Sequence, residues 1–370
     1  MLKKDTKIFL AGHKGLLGSS LLRILKKHNF KNVITVDKKK VDLRNQSKVF
    51  NFLKFHKPQI VINCAGKVGG IKANILKSGE FIYDNLSMQT NLIHGSYLNN
   101  IKKFIFMGSS CIYPKFAKQP IKEKYLLDSP LEKTNESYAI AKIAGLKLCE
   151  SYNKQYNTNY LCIMPSNLYG PNDSYDEQNS HFFAAIIKKL YNAKKNNLKK
   201  VVFWGTGKVK REITYVDEVS EACLFFLEQK TKHSLINIGS GYEKTIKSFV
   251  KFIATKLRVK SKIMFNNDRF LDGTPKKIVD TTIARSYGWK PQYNFDKSFE
   301  IIIVPNNKFE HSYTSKIVKV IESGKVGPAK KRDLAAKVAN GYLLVFLDDD
   351  SFPAKNYLEI SFNLFKKDKE

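Results

Sequence analysis

The chain is short of acid. Its 370 residues hold 33 aspartates and glutamates against 64 lysines and arginines, a formal net charge of +31. Such an excess suits anionic partners, whether nucleic acid, membrane surface or phosphorylated small molecules. No RNA- or DNA-binding motif accompanies the lysines, which are scattered through helix-like and loop segments, so they read as solvated faces and not as a nucleic-acid site. Cysteine is scarce and odd in number. Cys64, Cys111, Cys149, Cys162 and Cys223 show no metal-ligand spacing, and all but Cys111 lie in apolar runs as small core residues. A reducing cytoplasm is their natural setting. Long apolar runs are missing as well. Lys3 and Lys4 ahead of Ile8-Phe9-Leu10 imitate the start of a signal peptide, but the run stops at Gly12-His13-Lys14, and no stretch is long enough to span a membrane. The hydrophobic fraction of 43% is ordinary for a soluble protein, and the length allows more than one domain.

What is present begins at the N-terminus. Lys7 to Ala11 reads as a strand, followed at once by Gly12-His13-Lys14-Gly15-Leu16-Leu17-Gly18 and then by helical apolar spacing from Ser19 to Lys27. Strand, glycine turn and helix start in that order cradle a dinucleotide pyrophosphate, because glycines admit the backbone and unpaired N–H groups meet the phosphates. The next strand, Val33 to Val36, closes at Asp37. An acid there accepts hydrogen bonds from the adenosine ribose and points to NAD(H). Lys14 and Lys38-Lys39-Lys40 suit the extra phosphate of NADP(H), so both cofactors stay open on this ground. Gln59 to Cys64 forms a further buried strand, ending in Ala65-Gly66-Lys67-Val68-Gly69-Gly70. Ile82 to Leu98 reads as a long helix with two apolar faces, a kind that pairs across a homodimer.

The most informative stretch runs from Met107 to Lys142. Lys103 to Met107 is a short apolar run of the buried parallel type, so Gly108, Ser109, Ser110 and Cys111 fall at the strand end where open α/β sheets bind ligands. Tyr138-Ala-Ile-Ala-Lys142 follows on a helical pattern, with Ala139, Ala141, Ala144 and Leu148 suited to close packing. Residues four apart share a helix face, so Tyr138 and Lys142 point the same way. An ammonium beside a phenol favours the phenolate and is expected to lower the tyrosine's pKa.

Taken with their neighbours, these residues carry a resemblance. AGHKGLLGSS, KVGGIKAN, GSSCIYPKFAKQPIKE, NESYAIAKIAG, MPSNLYGPND, NSHFFAA, WGTGKVKREITYVDE, INIGSG and LDGTPKK resemble the GDP-L-fucose synthase family of the extended short-chain dehydrogenase/reductase superfamily. The likeness runs through about Phe299. A 4,6-dehydratase would show Asp-Glu near Ser110, and a simple 4-epimerase would lack both Cys111 and His181. The resemblance implies an α/β protein: a Rossmann-type doubly wound parallel sheet with a smaller C-terminal substrate lobe. The cofactor lobe would span mainly residues 1–165 with a return near 212–238, and the substrate lobe mainly 166–211 and 239–299.

It also implies GDP-4-keto-6-deoxy-mannose as substrate, NADP(H) as cofactor and a homodimer. Ser109, Cys111, Tyr138, Lys142 and His181 would be catalytic. Cys111 and His181 would move the protons at C3 and C5, for which a thiol and an imidazole titrating near neutrality are apt. Ser109 and Tyr138 would donate to the ketone oxygen. Gly12 to Gly18, Asp37, Met107, Gly108, Ser109, Ser110, Lys142, Pro165, Ser166, Asn167, Leu168 and His181 would line the cofactor. Lys189, Trp204, Arg211 and Asp272 would contact the GDP-sugar.

From Glu300 the pattern changes. Glu300-Ile-Ile-Ile-Val-Pro305 and VGPAKKRDLAAKVANGYLLVFLDDDSFP resemble part of a family-2, GT-A type glycosyltransferase. A strand from Tyr342 to Leu347 would end in Asp348-Asp349-Asp350, where Asp348 and Asp350 could hold a divalent metal. The resemblance covers residues 300–370 only, a partial α/β extension without the family's base-binding start or acceptor half. Two other function classes stand beside the synthase: a bifunctional synthase and glycosyltransferase, and a basic nucleic-acid-binding protein on a Rossmann fold.

Overall fold

A computed structural model of the chain describes residues 2–175 and 180–293, together with the backbone of strands at 300–303, 318–320 and 344–345. Five strands, β1 (Ile8–Ala11), β2 (Val33–Ile34), β3 (Ile60–Asn63), β4 (Lys103–Met107) and β5 (Asn159–Pro165), alternate with helices α1 (Leu16–Lys27), α2 (Gln46–His56), α3 (Ile71–Leu76), α4 (Ser78–Leu98) and α5 (Glu136–Tyr156). The chain then builds β6 (Asn167–Tyr169), α6 (Phe182–Lys195), β7 (Lys200–Phe203) and β8 (Lys210–Tyr215) before α7 (Val216–Glu228) and β9 (Leu235–Ile238) return it to the first sheet. β10 (Glu243–Thr245), α8 (Ile246–Leu257), β11 (Lys262–Phe265), β12 (Lys276–Lys277) and α9 (Thr282–Ser286) follow.

The main sheet has the order β2-β1-β3-β4-β5-β9, and every pairing in it is parallel. Strands buried on both faces need covering from both sides, which is why β1 and β3 are apolar without alternation. One cover is α1, α7 and α9, the other α2, α4 and α5. α1 and α7 approach closely through Ser20 and Ser220, whose hydroxyls meet at 2.6 Å, with Arg23 paired to Asp217 at 2.6 Å beside them. On α5 the buried residues are Tyr138, Ala139, Ala141, Lys142, Ile143, Gly145, Leu146 and Cys149. Ala144, expected to pack, lies on the opposite side and is exposed, and Leu148 is only half-buried. Cys149, Cys162 and Cys223 are core residues as expected, while Cys64 is partly exposed.

A second core joins α6 and α8 to β7 and β8. Glu212, on β8, ties this part to the main sheet: its carboxylate is fully buried and accepts from the backbone N–H of Gly241 at 2.7 Å and of Val279 at 2.9 Å. In the tail, β13 (Glu300–Ile303) lies between β14 (Val318–Val320) and β15 (Leu344–Val345) in a parallel sheet. Asp348 and Asp350 lie outside the described residues.

Burial raises the Glu212 carboxyl to about 7. A folded-state value above the unfolded one means that its stabilising effect is complete below about 4.5 and fades as pH rises through about 7. Unfolding midpoints should therefore fall between pH 5 and 8, by up to about 3 kcal/mol from this group. Glu212→Gln should flatten that slope while lowering stability by about 1–3 kcal/mol, since one amide N–H loses its acceptor. An unchanged pH slope in the variant, read by urea denaturation, would exclude this role.

Candidate active site

The chain reverses direction across the sheet between β1 and β3, so a crevice opens at the carboxyl ends of these strands. Gly12 sits there with φ +80°, and a Cβ on it would come within 2.5 Å of the Ala65 nitrogen; one on Gly18 would lie 2.1 Å from the Gly12 carbonyl. No side chain fits at either place, so turn, helix start and β3 loop close together around a backbone-lined groove. The first-turn N–H groups of α1, after Gly15, face this groove without a side-chain cap. Asp37 does not stand alone at its rim. Lys14 is ion-paired with it and His13 Nε2 lies 3.5 Å away, so the carboxylate that pointed to NAD(H) is already offset by cations.

The second wall is the end of β4 with the start of α5. Ser109 Oγ donates to Cys111 Sγ at 3.2 Å and accepts from the Cys111 N–H at 3.4 Å. Asn135, which the sequence reading passed over, donates its side-chain amide to the same sulfur at 3.3 Å. Tyr138 is within hydrogen-bonding reach of Ser109. Lys142 donates from Nζ to the Met107 carbonyl at 2.9 Å, and its ammonium lies 5.8 Å from the centroid of the Tyr138 ring.

The expected electrostatics of this pair need correction. Burial pushes the Tyr138 phenol up, and nearby Cys111 adds to the rise, against a smaller downward pull from the Ser109 hydrogen bond. Lys142 is itself lowered by burial to about 8. Desolvation therefore outweighs the charge of the lysine, and the phenol is kept protonated.

Other predicted residues divide between the cleft and the frame. Ser166 is buried with its hydroxyl 2.6 Å from that of Thr214, so its side chain serves the junction of β5 and β8. Asn167 donates to the Glu212 carbonyl at 2.8 Å. A Cβ on Gly108 would come within 2.4 Å of Met164 Cε, so the methionine tip packs against this glycine. His181 stands at the start of α6 without capping it, and its Nδ1 is 3.5 Å from Asp173 Oδ1. The preceding loop touches α1 through Asn172, whose amide donates to Ser19 Oγ at 3.1 Å.

Just after β7, Trp204 is about half exposed, with the ammonium groups of Lys72 and Lys189 at 4.3 Å and 5.7 Å from its ring. Arg211 donates to the carbonyls of Lys210, Asp272 and Thr274, and burial lowers it to about 10. Asp272 turns both carboxylate oxygens to Thr206, accepting from its N–H and its hydroxyl at 2.8 Å each. Lys277, unnoticed in the sequence, is lowered by burial and interacts electrostatically with Cys111, Arg211 and Glu132. Among the described residues there is no cluster of histidine, cysteine, aspartate or glutamate able to hold a metal, and no helix long and apolar enough to cross a membrane.

A dinucleotide groove lined by backbone, facing a serine, a thiol and a protonated phenol, suits reduction and proton transfer on a nucleotide-linked carbonyl compound. The model of the NAD dependent epimerase/dehydratase family matches residues 8–239, and that of glycosyl transferase family 2 matches residues 283–370. The chain belongs to the NAD dependent epimerase/dehydratase family. It is 44% identical over 292 residues to GDP-L-fucose synthase 1 of Arabidopsis thaliana, covering 79% of this chain and 90% of that one. With the GDP-L-fucose synthase of Escherichia coli strain K12 the identity is 39% over 292 residues, covering 76% and 91%. Among solved structures, a GDP-L-fucose synthetase from Naegleria fowleri bound to NADP superposes with a TM-score of 0.72 at 26% identity, covering 80% of this chain and 90% of that one.

Because Asp272 spends both oxygens on Thr206, its first effect should be on the turn that carries Trp204. Asp272→Ala should cost about 2–4 kcal/mol in urea denaturation and shift the Trp204 fluorescence, whereas Asp272→Asn, which can keep both bonds, should cost under about 1 kcal/mol. Equal stability of the alanine variant and the parent would show that the carboxylate is free for a ligand.

Proposed function

We propose that the chain converts GDP-4-keto-6-deoxy-D-mannose to GDP-L-fucose, by epimerisation at C3 and C5 and NADPH-dependent reduction at C4. The observation that carries this reading is the thiol of Cys111 seated against Ser109, next to the buried Tyr138. A reductase alone needs the serine and the tyrosine. A thiol at the same strand end adds a group able to carry protons to and from carbon.

The C4 ketone acidifies the protons on C3 and C5, since their loss gives an enolate. Cys111 and His181 serve as the proton carriers at these carbons, with Ser109 and Tyr138 holding the oxygen as charge builds on it. The nicotinamide, when bound, supplies the hydride that reduces C4. The backbone groove at Gly12, Gly15 and Gly18 fits its pyrophosphate. Tyr138, kept protonated by burial, gives its proton to the C4 oxygen. Lys142 holds the ribose hydroxyls, and Lys14 with Lys38 favours NADPH because the carboxylate of Asp37 is already paired.

Trp204 and Lys189 would hold the nucleotide, and Arg211 its diphosphate. The exposed Tyr83, Leu98 and Ile140 on α4 and α5 support a homodimer through these helices. Five unpaired cysteines suit a cytoplasmic setting. We read residues 300–370 as a partial glycosyltransferase lobe without transfer activity of its own, and residues 1–299 as the part that carries the synthase activity.

The test is purified protein with GDP-4-keto-6-deoxy-D-mannose and each cofactor, following nicotinamide absorbance and identifying the sugar product. No turnover with either cofactor would overturn the reading. Tyr138→Phe should nearly abolish cofactor oxidation yet leave solvent deuterium entering the keto-sugar. Cys111→Ala should cut that exchange by about 10²-fold or more. Equal, modest losses on both readouts would refute the assigned roles.

On the cofactor, Lys14→Ala should raise the KM for NADPH by about tenfold and leave that for NADH little changed, the effect of one charged contact to a phosphate. A higher specificity constant for NADH in the parent enzyme would reverse the assignment.

A further inference from the structure

Asn135 occupies the position before the first residue of α5, where an asparagine usually turns its side chain back to cap the helix. Here it makes no capping hydrogen bond. Its amide instead reaches across to the loop after β4 and donates to Cys111 Sγ at 3.3 Å, while its own Oδ1 is buried with no partner. A side chain that leaves its buried oxygen unbonded, and with it the cap that this oxygen would make, forgoes one interaction to keep the other.

Its placement is fixed from both sides. The helical turn Lys133–Asn135 begins at Glu132, whose carboxylate accepts from the Thr134 N–H at 3.2 Å and pairs with Lys115 at 2.9 Å. The Asn135 N–H in turn bonds to the Glu132 carbonyl at 3.2 Å. The sulfur thus has two donors close by, Ser109 Oγ at 3.2 Å and Asn135 Nδ2 at 3.3 Å. They differ in what they can do later. Ser109 is the hydroxyl assigned above to the ketone oxygen, so once it turns to substrate Asn135 is the side chain left on the sulfur.

We infer that Asn135 is a positioning residue for the epimerisation step, holding Cys111 Sγ as an oriented thiolate through its amide N–H while Ser109 serves the ketone. This deepens the proposed function and rests on it. In the step concerned the thiolate lone pair takes the proton from the sugar carbon, an S–H bond forms, and the C–H electron pair passes into the enolate. An N–H donor favours the anionic sulfur before that step; inversion is completed when His181, the other proton carrier, protonates the opposite face of the carbon, and the thiol loses its proton to solvent.

The test is the pH dependence of Cys111 alkylation by iodoacetamide, a reaction of the thiolate, followed by peptide mass mapping so that the partly exposed Cys64 is scored apart. Asn135→Ser puts a residue able to cap the helix in this position but cannot reach the sulfur. Asn135→Asp keeps the shape and puts an acceptor where the donor was. Both should move the alkylation curve to higher pH, with the rate at pH 7 falling by about tenfold for serine and by more for aspartate. Deuterium exchange into the keto-sugar should show the same shift, with the melting temperature of the serine variant close to the parent's. Curves that superimpose on the parent's in folded variants would overturn the inference while leaving the proposed function intact. A shifted alkylation curve in a protein that does not turn over the keto-sugar would keep the coupling of Asn135 to Cys111 and reject the role in epimerisation.

Discussion

The buried ammonium of Lys142 sets the geometry of the cleft. It donates to the carbonyl of Met107, the last residue of β4, and lies 4.9 Å from the centroid of the Phe106 ring. A buried cation is costly unless it is bonded, so α5 is held at the register that brings this group to the strand end. Tyr138 stands one turn earlier on the same face and is thereby carried to Ser109. Asn135 precedes the helix and is carried to Cys111. Ser109 and Cys111 come from one segment and Tyr138 and Lys142 from another about thirty residues on, and a buried contact ties the two together.

Burial also decides the protonation of these groups. A charge-pair view of Tyr138 and Lys142 predicts an acidic phenol and a fully charged amine. Removal from water acts the other way on both, raising the phenol and bringing the amine down to about 8. For a reduction this is the useful direction, since the oxygen formed at C4 needs a proton and not a phenolate. The second core obeys a related rule. Among the described residues Arg211 is hydrogen-bonded to three backbone carbonyls and to no carboxylate, which fixes its position.

The lysine excess has a local meaning as well as a global one. Lys14 neutralises Asp37 at the cofactor groove, Lys67 pairs with Glu80 and Asp84 beside the β3 loop, and Lys72 and Lys189 lie over Trp204. Asp37, Glu80 and Asp84 are thus each paired with a basic side chain.

Much of the fold was legible because its signals are local. An unbroken apolar run marks β4 with the bounds found, and glycine spacing marks the turn before α1, since neither depends on what packs against it. Ser109, Cys111 and Tyr138 were likewise findable, being placed by a strand end and a helical repeat. Side-chain direction was not. Whether Ser166 faced the cofactor or Thr214, whether Asp272 faced a ligand or Thr206, and whether Ala144 was inside depended on segments that meet only in the folded chain. Asn135 reads in sequence as an ordinary helix cap. Sequence by itself determined which elements form and which chemical groups lie at their ends, because backbone periodicity and glycine sterics act over a few residues. Tertiary structure decided the partner of each polar group and the protonation of Tyr138 and Lys142, because both follow from burial among residues far apart in the chain.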